Sequence, residues 1–259
     1  MKNTHRLKSM MQVDFRRLFT TSRLPIFLLI SLLMPVLILT MTTMFGGTTQ
    51  ALPQTGMETT LSAFTSTWQI IGTESSADMM AMDMTAMVNI NLVFFLAGVF
   101  VCLFIADDFR SGYAKNLFTV RARKQDYVLS KTLSGCLAGG MMLLAFFLGS
   151  VIGGAAAGLS FTLGAAGLFG LVMCMLAKLL LMLVFVPIAV AVSAFGKSRS
   201  WLSILLFAFA GMLLFMMIPM LTPINASLLN VGLCLAGGVM FGAGLGKVSD
   251  LILSRQDLI

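Results

Sequence analysis

From Thr132 to Ala177, and again from Leu179 to Gly196, the chain carries no charged residue. Such runs restrict the possible folds more than any motif does. A soluble fold could not hide so much apolar surface, because much of any globule stays exposed. Hydrophobic residues make up 58% of the chain and charged residues 10%, against about a quarter charged in a soluble domain. The class implied is an all-α polytopic membrane protein. A β-barrel does not fit, since the apolar runs are continuous and do not alternate every second residue.

A spanning helix needs about 20 mostly apolar residues, and six segments qualify: 24–44, 88–106, 132–154, 167–195, 201–220 and 227–246. Pro25 falls near the start of the first, where a missing N–H costs little, and Pro35 inside it, where a kink is expected. Basic residues lead into this first stretch as in a signal peptide. Its apolar part exceeds the usual signal core of about 7–15 residues, so it is expected to remain as a span. Residues 1–23 are expected to form a helix lying on the membrane. Within them Leu7, Met10, Met11, Phe15 and Leu18 recur at spacings of three and four, with Arg6, Lys8, Arg16 and Arg17 free to meet headgroups.

The formal net charge is +7, yet its distribution suggests topology and not a nucleic-acid partner. Positive charge falls before the first span, between the second and third, at Lys197 and Arg199, and at Lys247 and Arg255. The loop 45–87 contains no basic residue and has Glu58, Glu74, Asp78 and Asp83. The positive-inside rule then puts both termini and the charged loop 107–131 in the cytoplasm, and loop 45–87 outside, in the plasma membrane of a bacterial cell. Cys102, Cys136, Cys174 and Cys234 all lie in apolar runs with no paired spacing, as small buried side chains do. Small residues recur every four positions at Gly135/Gly139, Gly149/Gly153 and Gly238/Gly242/Gly246. These rows could pack spans within one chain or across a dimer.

Motifs for ATP hydrolysis fail on inspection. Gly196-Lys197-Ser198 ends a span and has Ala191 where a phosphate-binding loop needs glycine; Gly246-Lys247 is followed by Val248 where Ser or Thr should bind magnesium. One histidine, His5, and no metal-ligand cluster leave no enzyme constellation, so neither a catalytic residue nor a metal site is assigned. Asp107 and Asp108 are adjacent and on a helix point in different directions.

Three features on or near the outer side carry candidate substrate residues. Lys178, in "CMLAKLLLMLV", is the basic residue inside a span. It either lines a polar path, holding an anionic group or an outer-loop acid, or snorkels to the surface. "MMAMDMTAM", with Met80, Met84 and Met87, offers soft thioethers that suit Cu(I), but no Cys or His joins it, and an adaptable apolar surface is the better reading. Trp68, with Phe64, Ile70 and Ile71, would anchor short helices that cap the spans from the outer leaflet.

The densest charge in the chain is "IADDFRSGYAKNLFTVRARKQDYVLSK", 105–131. It is longer than the roughly 2–8 residues that join two spans. Tyr113, Leu117, Phe118 and Val120 mix with Lys115, Arg121 and Arg123 as in a short amphipathic helix with one face toward a partner. The order Asp108-Phe109, Gly112, Lys115-Asn116-Leu117, Arg123, Tyr127, Ser130-Lys131 resembles the loop after the second span in permeases of the type-two family of ATP-binding-cassette (ABC) exporters. Six spans, cytoplasmic termini, a leading amphipathic helix and a short basic loop before the fifth span fit the same resemblance. The family usually has Glu where Asp107 and Asp108 stand, and often a large outer element before its last span.

What the resemblance implies is a coupling helix, resting in a groove of a separate nucleotide-binding subunit that binds ATP and magnesium. Asp108, Phe109, Gly112, Tyr113, Lys115, Leu117, Phe118 and Arg121 are the expected contact residues. Two permease chains, identical or merely similar, would join two ATPase subunits and move an amphipathic peptide, drug or other hydrophobic cargo outward. The alternative is a non-transporting immunity or sensor protein that binds a peptide at its outer loop.

Overall fold

The structure, a computed structural model, describes residues 2–45, 64–72, 89–119, 123–163, 167–215 and 218–255. Among them the regular structure is entirely helical: α1 (Lys2–Thr20), α2 (Arg23–Phe45), α3 (Leu92–Arg110), α4 (Tyr113–Thr119), α5 (Lys124–Ala156), α6 (Gly167–Gly196), α7 (Ser200–Phe215), α8 (Ile218–Leu221) and α9 (Leu228–Arg255), with a 3₁₀ turn at Thr67–Ile70. Arg121, Met80, Met84 and Met87 lie outside the described residues.

α2, α3, α5, α6 and α9 are each long and apolar enough to cross a membrane. The expected span 201–220 coincides with α7, an apolar helix of 16 residues. At 1.5 Å per residue it reaches about 24 Å, short of a hydrocarbon core of about 30 Å. α8 follows after residues 216 and 217, which are not described.

α3 and α6 form the centre, more than half buried, with α5 beside them and α2 and α9 outside. Phe94 of α3 meets Phe185 of α6 with ring centroids 4.9 Å apart. The outer helices turn Ile26, Leu29, Leu33 and Leu37 of α2, and Leu233, Val239 and Met240 of α9, to the exterior. Wide exposed apolar faces of this kind are what lipid covers.

The glycine rows of α5 and α9 let helices approach within this chain. A Cβ at Gly149 would lie 2.0 Å from the Leu32 carbonyl oxygen, and one at Gly153 would lie 2.8 Å from Val36 Cα. Only glycine permits such contact between α5 and α2. Ser31 adds a buried hydrogen bond, its hydroxyl donating to the Met142 carbonyl at 2.6 Å. Gly238 packs α9 on Leu183 of α6, whereas a Cβ at Gly246 would meet nothing within 4 Å.

Two sequence boundaries move. The second span was expected to end at 106 and the third to start at 132, but α3 runs to Arg110 and α5 begins at Lys124. Both helices carry their polar ends beyond the apolar core, because helical hydrogen bonding continues where the residues allow it. Gly112, at φ +71°, makes the turn between α3 and α4 that an L side chain resists. On the opposite side, Ser66 and Gln69 cap the 3₁₀ turn reciprocally.

Candidate functional site

The α3–α4–α5 end holds a buried ionic cluster. Asp14 of α1 sits between Met10 and Leu18 on one helical stripe, and all three are buried. Its carboxylate accepts from Lys131 Nζ at 2.7 Å and from the Ser130 hydroxyl at 2.6 Å. Lys131 also pairs with Asp108, again at 2.7 Å. Asp108 takes a further hydrogen bond from the Tyr127 hydroxyl at 3.0 Å and an ion pair from Arg17 at 2.7 Å. Asp14, Asp108 and Lys131 have no side-chain exposure. Two acids and two bases balance, and every carboxylate oxygen has a donor, the condition under which buried charge is tolerated.

Asp107, one residue earlier, points elsewhere and pairs with Arg23 at the start of α2. A 100° rotation per residue explains why the two neighbouring acids serve different helices.

Aromatic rings link α4 to this cluster. The Arg17 guanidinium lies 4.3 Å from the Tyr113 ring centroid, and the Lys131 ammonium 4.2 Å from that of Phe104. Phe118 meets the Tyr127 ring edge-on at 5.3 Å. Burial, then the nearby carboxylates of Asp14 and Asp108, raise the Tyr113 phenol above its ordinary pKa. Burial works against the Arg17 charge, but Asp108, Asp14 and Tyr113 together favour it and the guanidinium pKa ends up raised. Arg17 therefore stays charged under any physiological condition.

The candidate coupling residues divide by face. Lys115 and Asn116 are exposed, Gly112, Tyr113, Leu117 and Phe118 are half-buried, and Ala114 is buried against the bundle. Phe109 is half-buried and packs on the core, while Asp108 is fully internal. α4 thus shows a polar edge and keeps its aromatic side against α1 and α5.

Further bonds tie the same end to the remaining helices. Arg110 donates to the Ser198 carbonyl at 3.0 Å and the Ser200 hydroxyl at 2.8 Å, in the turn between α6 and α7. Lys124 donates to the Leu253 carbonyl at 2.6 Å, and Gln125 to Asp250 at 3.0 Å, both on α9. Gly196-Lys197-Ser198 closes α6, with Lys197 at φ 52°.

At the other end, Lys178 is 1% exposed. It donates to Asn91 Oδ1 and Thr222 Oγ1, each at 2.9 Å. The ammonium therefore points into the bundle and does not snorkel. Trp68 has a different setting: its indole N–H donates to the Phe161 carbonyl at 3.0 Å, and its ring stacks on Phe147 of α5. Sequence reasoning passed over Asp14, Arg17, Asn91 and Thr222 as site residues. Asp14 alone left a signal, an acid in the middle of an apolar helical stripe.

The fold and this site define a multi-pass helical membrane protein whose charged end is organised around a short helix between two spans. The chain matches the family model described as ABC-2 family transporter protein over residues 21–214, and it belongs to that family. It is thus an ABC transporter permease, the membrane component of a system whose members normally partner with an ABC ATPase subunit. No curated protein and no solved structure matches the chain significantly.

Proposed function

We propose that this chain is the permease of an ABC exporter, coupling ATP hydrolysis by a separate nucleotide-binding subunit to outward movement of an amphipathic or hydrophobic cargo. The chain crosses the membrane six times, α7 and α8 belonging to the fifth crossing, and both termini are cytoplasmic. Two permease chains join two ATPase subunits, which bind the ATP and magnesium. The observation that carries the reading is α4, a short helix fixed to α1, α3 and α5 that exposes Lys115 and Asn116 and half-exposes Leu117. A helix that caught the motor without being held to the spans could not transmit displacement. Phe109, Gly112, Tyr113, Phe118 and Arg121 complete the contact region. Trp68, Met80, Met84, Met87 and Lys178 belong to the cargo side. Nothing in the fold or the family match favours a non-transporting role.

Co-purification tests this. The tagged chain, expressed in its native host, should retain an ABC ATPase subunit, and Leu117→Asp should lose it while the permease still folds in the membrane. Retention of the ATPase by Leu117→Asp, or its absence from the unaltered chain, would overturn the coupling role.

A further inference from the structure

Residues 64–72 are seated on three separate parts of the bundle. Toward the connection between α5 and α6, the Thr67 N–H donates to the Ser160 carbonyl at 3.0 Å, and the Ser160 hydroxyl donates back to the Thr65 carbonyl at 2.9 Å. Trp68 meets the same connection at Phe161. Toward α3, the Ile90 N–H donates to the Ile70 carbonyl at 3.0 Å. Gly72 lies on Ile224, in the connection after α8, where a Cβ would stand 3.0 Å from the Ile224 nitrogen. Ile70 and Ile71 are fully buried in this arrangement.

Lys178 ties together two of the three seats. Its acceptor Asn91 follows Ile90, which binds the segment, and its acceptor Thr222 precedes Ile224 by two residues. The ammonium on α6 thus holds the start of α3 and the connection after α8, and residues 64–72 bridge the same two pieces of chain. A leucine could pack there, but its contacts would not weaken when water enters. An ammonium behaves differently. In a dry, closed bundle its charge-assisted bonds are strong, whereas water admitted to this end replaces them at little net cost. The latch is firm when dry and weak when wet. The segment is also suited to opening alone, because a 3₁₀ turn held by a few hydrogen bonds opens locally before packed spans separate.

Resting on the exporter reading, which puts this end outside, we infer that residues 64–72 form the outer gate of the permease. Lys178 is the positioning residue that keeps the seat of the gate closed. Cargo leaves when the start of α3 and the Thr222–Ile224 connection part and the segment lifts from Ile90 and Ile224.

The full-length chain in phosphatidylcholine nanodiscs, carrying Ile71→Cys as reporter, tests the latch without an ATPase, with Ile70→Cys as a second reporter. A membrane-impermeant maleimide, its product at the reporter position read by mass spectrometry, should react slowly. Lys178→Met should speed the reaction about tenfold, as the loss of one charge-assisted hydrogen bond does. Asn91→Ala should act in the same direction and add little to Lys178→Met in the double variant. Native Cys102, buried between α3 and α6, should stay unreactive throughout. No acceleration by Lys178→Met, full additivity of the two substitutions, or an equal gain at Cys102, which marks general loosening, would overturn the gate. In the complex with the ATPase, ATP hydrolysis should raise the labelling rate at the reporter, and an unchanged rate in a complex that hydrolyses ATP would also overturn it. A chain that binds no ATPase counts against the exporter reading instead and leaves the latch measurements standing, so the two failures are distinct.

Discussion

Lys131→Met removes one cation from a cluster that holds two carboxylates. Its ammonium is the partner of Asp14 at 2.7 Å and of Asp108 at 2.7 Å, with no solvent exposure on any of the three side chains. Methionine keeps most of the volume and loses the charge. Asp14 retains one donor, from Ser130, and Asp108 keeps Tyr127 and Arg17. The cluster is left with an uncompensated negative charge away from water. Breaking a buried pair by deleting one partner costs about 3–5 kcal/mol. The same side chain serving two acids places the expected loss in the upper part of that range.

Arg23→Met provides the internal comparison. Its ion pair with Asp107 has side chains 38% and 33% exposed, so solvent screens it and its loss should cost about 0–1 kcal/mol. Both variants would be unfolded by SDS titration in mixed micelles, followed by helical circular dichroism. Reactivity of the free thiols of Cys102, Cys174 and Cys234, all buried in the native bundle, provides a second probe. A double-mutant cycle with Asp14→Asn then isolates the pair, for which contacting residues show about 0.5–3 kcal/mol of interaction. If Lys131→Met is no more harmful than Arg23→Met, or if the cycle is additive, the cluster does not hold α1 to the bundle and the reasoning fails.

Two further outcomes follow from the packing. Gly149→Ala should destabilise the protein by about 1–3 kcal/mol in the same titration, because the new Cβ meets a backbone oxygen that cannot move aside; Gly244→Ala, facing open space, should not destabilise it. Tyr113→Phe should keep cargo-stimulated ATPase activity in the reconstituted complex, since the ring stays over Arg17, whereas Tyr113→Ala should lower it by releasing α4 from α1.

Much of this architecture was legible because the bilayer leaves few choices. An apolar run of about 20 residues must become a helix, since no water is there to satisfy its backbone. That argument places α2, α3, α5, α6 and α9 close to where the sequence puts them. It fails at polar ends: the charge that stops a run from being apolar does not stop a helix, so Asp107–Arg110 and Lys124–Ser130 continue α3 and α5. The short basic loop before α7 was visible in the sequence; that Arg110 would bind it was not. Pairings such as Asp14 with Lys131 join residues 117 positions apart, and no local pattern encodes them. Lys178 was recognised as out of place from its neighbours alone, but its acceptors come from the start of α3 and the segment after α8. Sequence periodicity carries no information about contacts between such distant segments.

In the coupling role proposed above, the dense charge between two apolar spans would serve rigidity and exposure together. A purely apolar contact would hold α4 to the spans but would sink the helix toward the lipid, where no soluble subunit could reach it. A purely polar loop would stay in water but would move freely, and a push on it would die out in the loop. The cluster meets both demands by keeping its internal charge neutral: Asp14 and Asp108 against Arg17 and Lys131. Lys115, which has no ion pair among the described residues, remains exposed on the polar edge of α4. Arg110 carries the connection to α6 and α7, and Lys124 with Gln125 carries it to α9. A displacement of α4 therefore bears on α1, α3 and α5 directly and on α2, α6, α7 and α9 through the packing of α3 and α5 against them, with the hydrogen bonds of Arg110, Lys124 and Gln125 as added ties at the charged end.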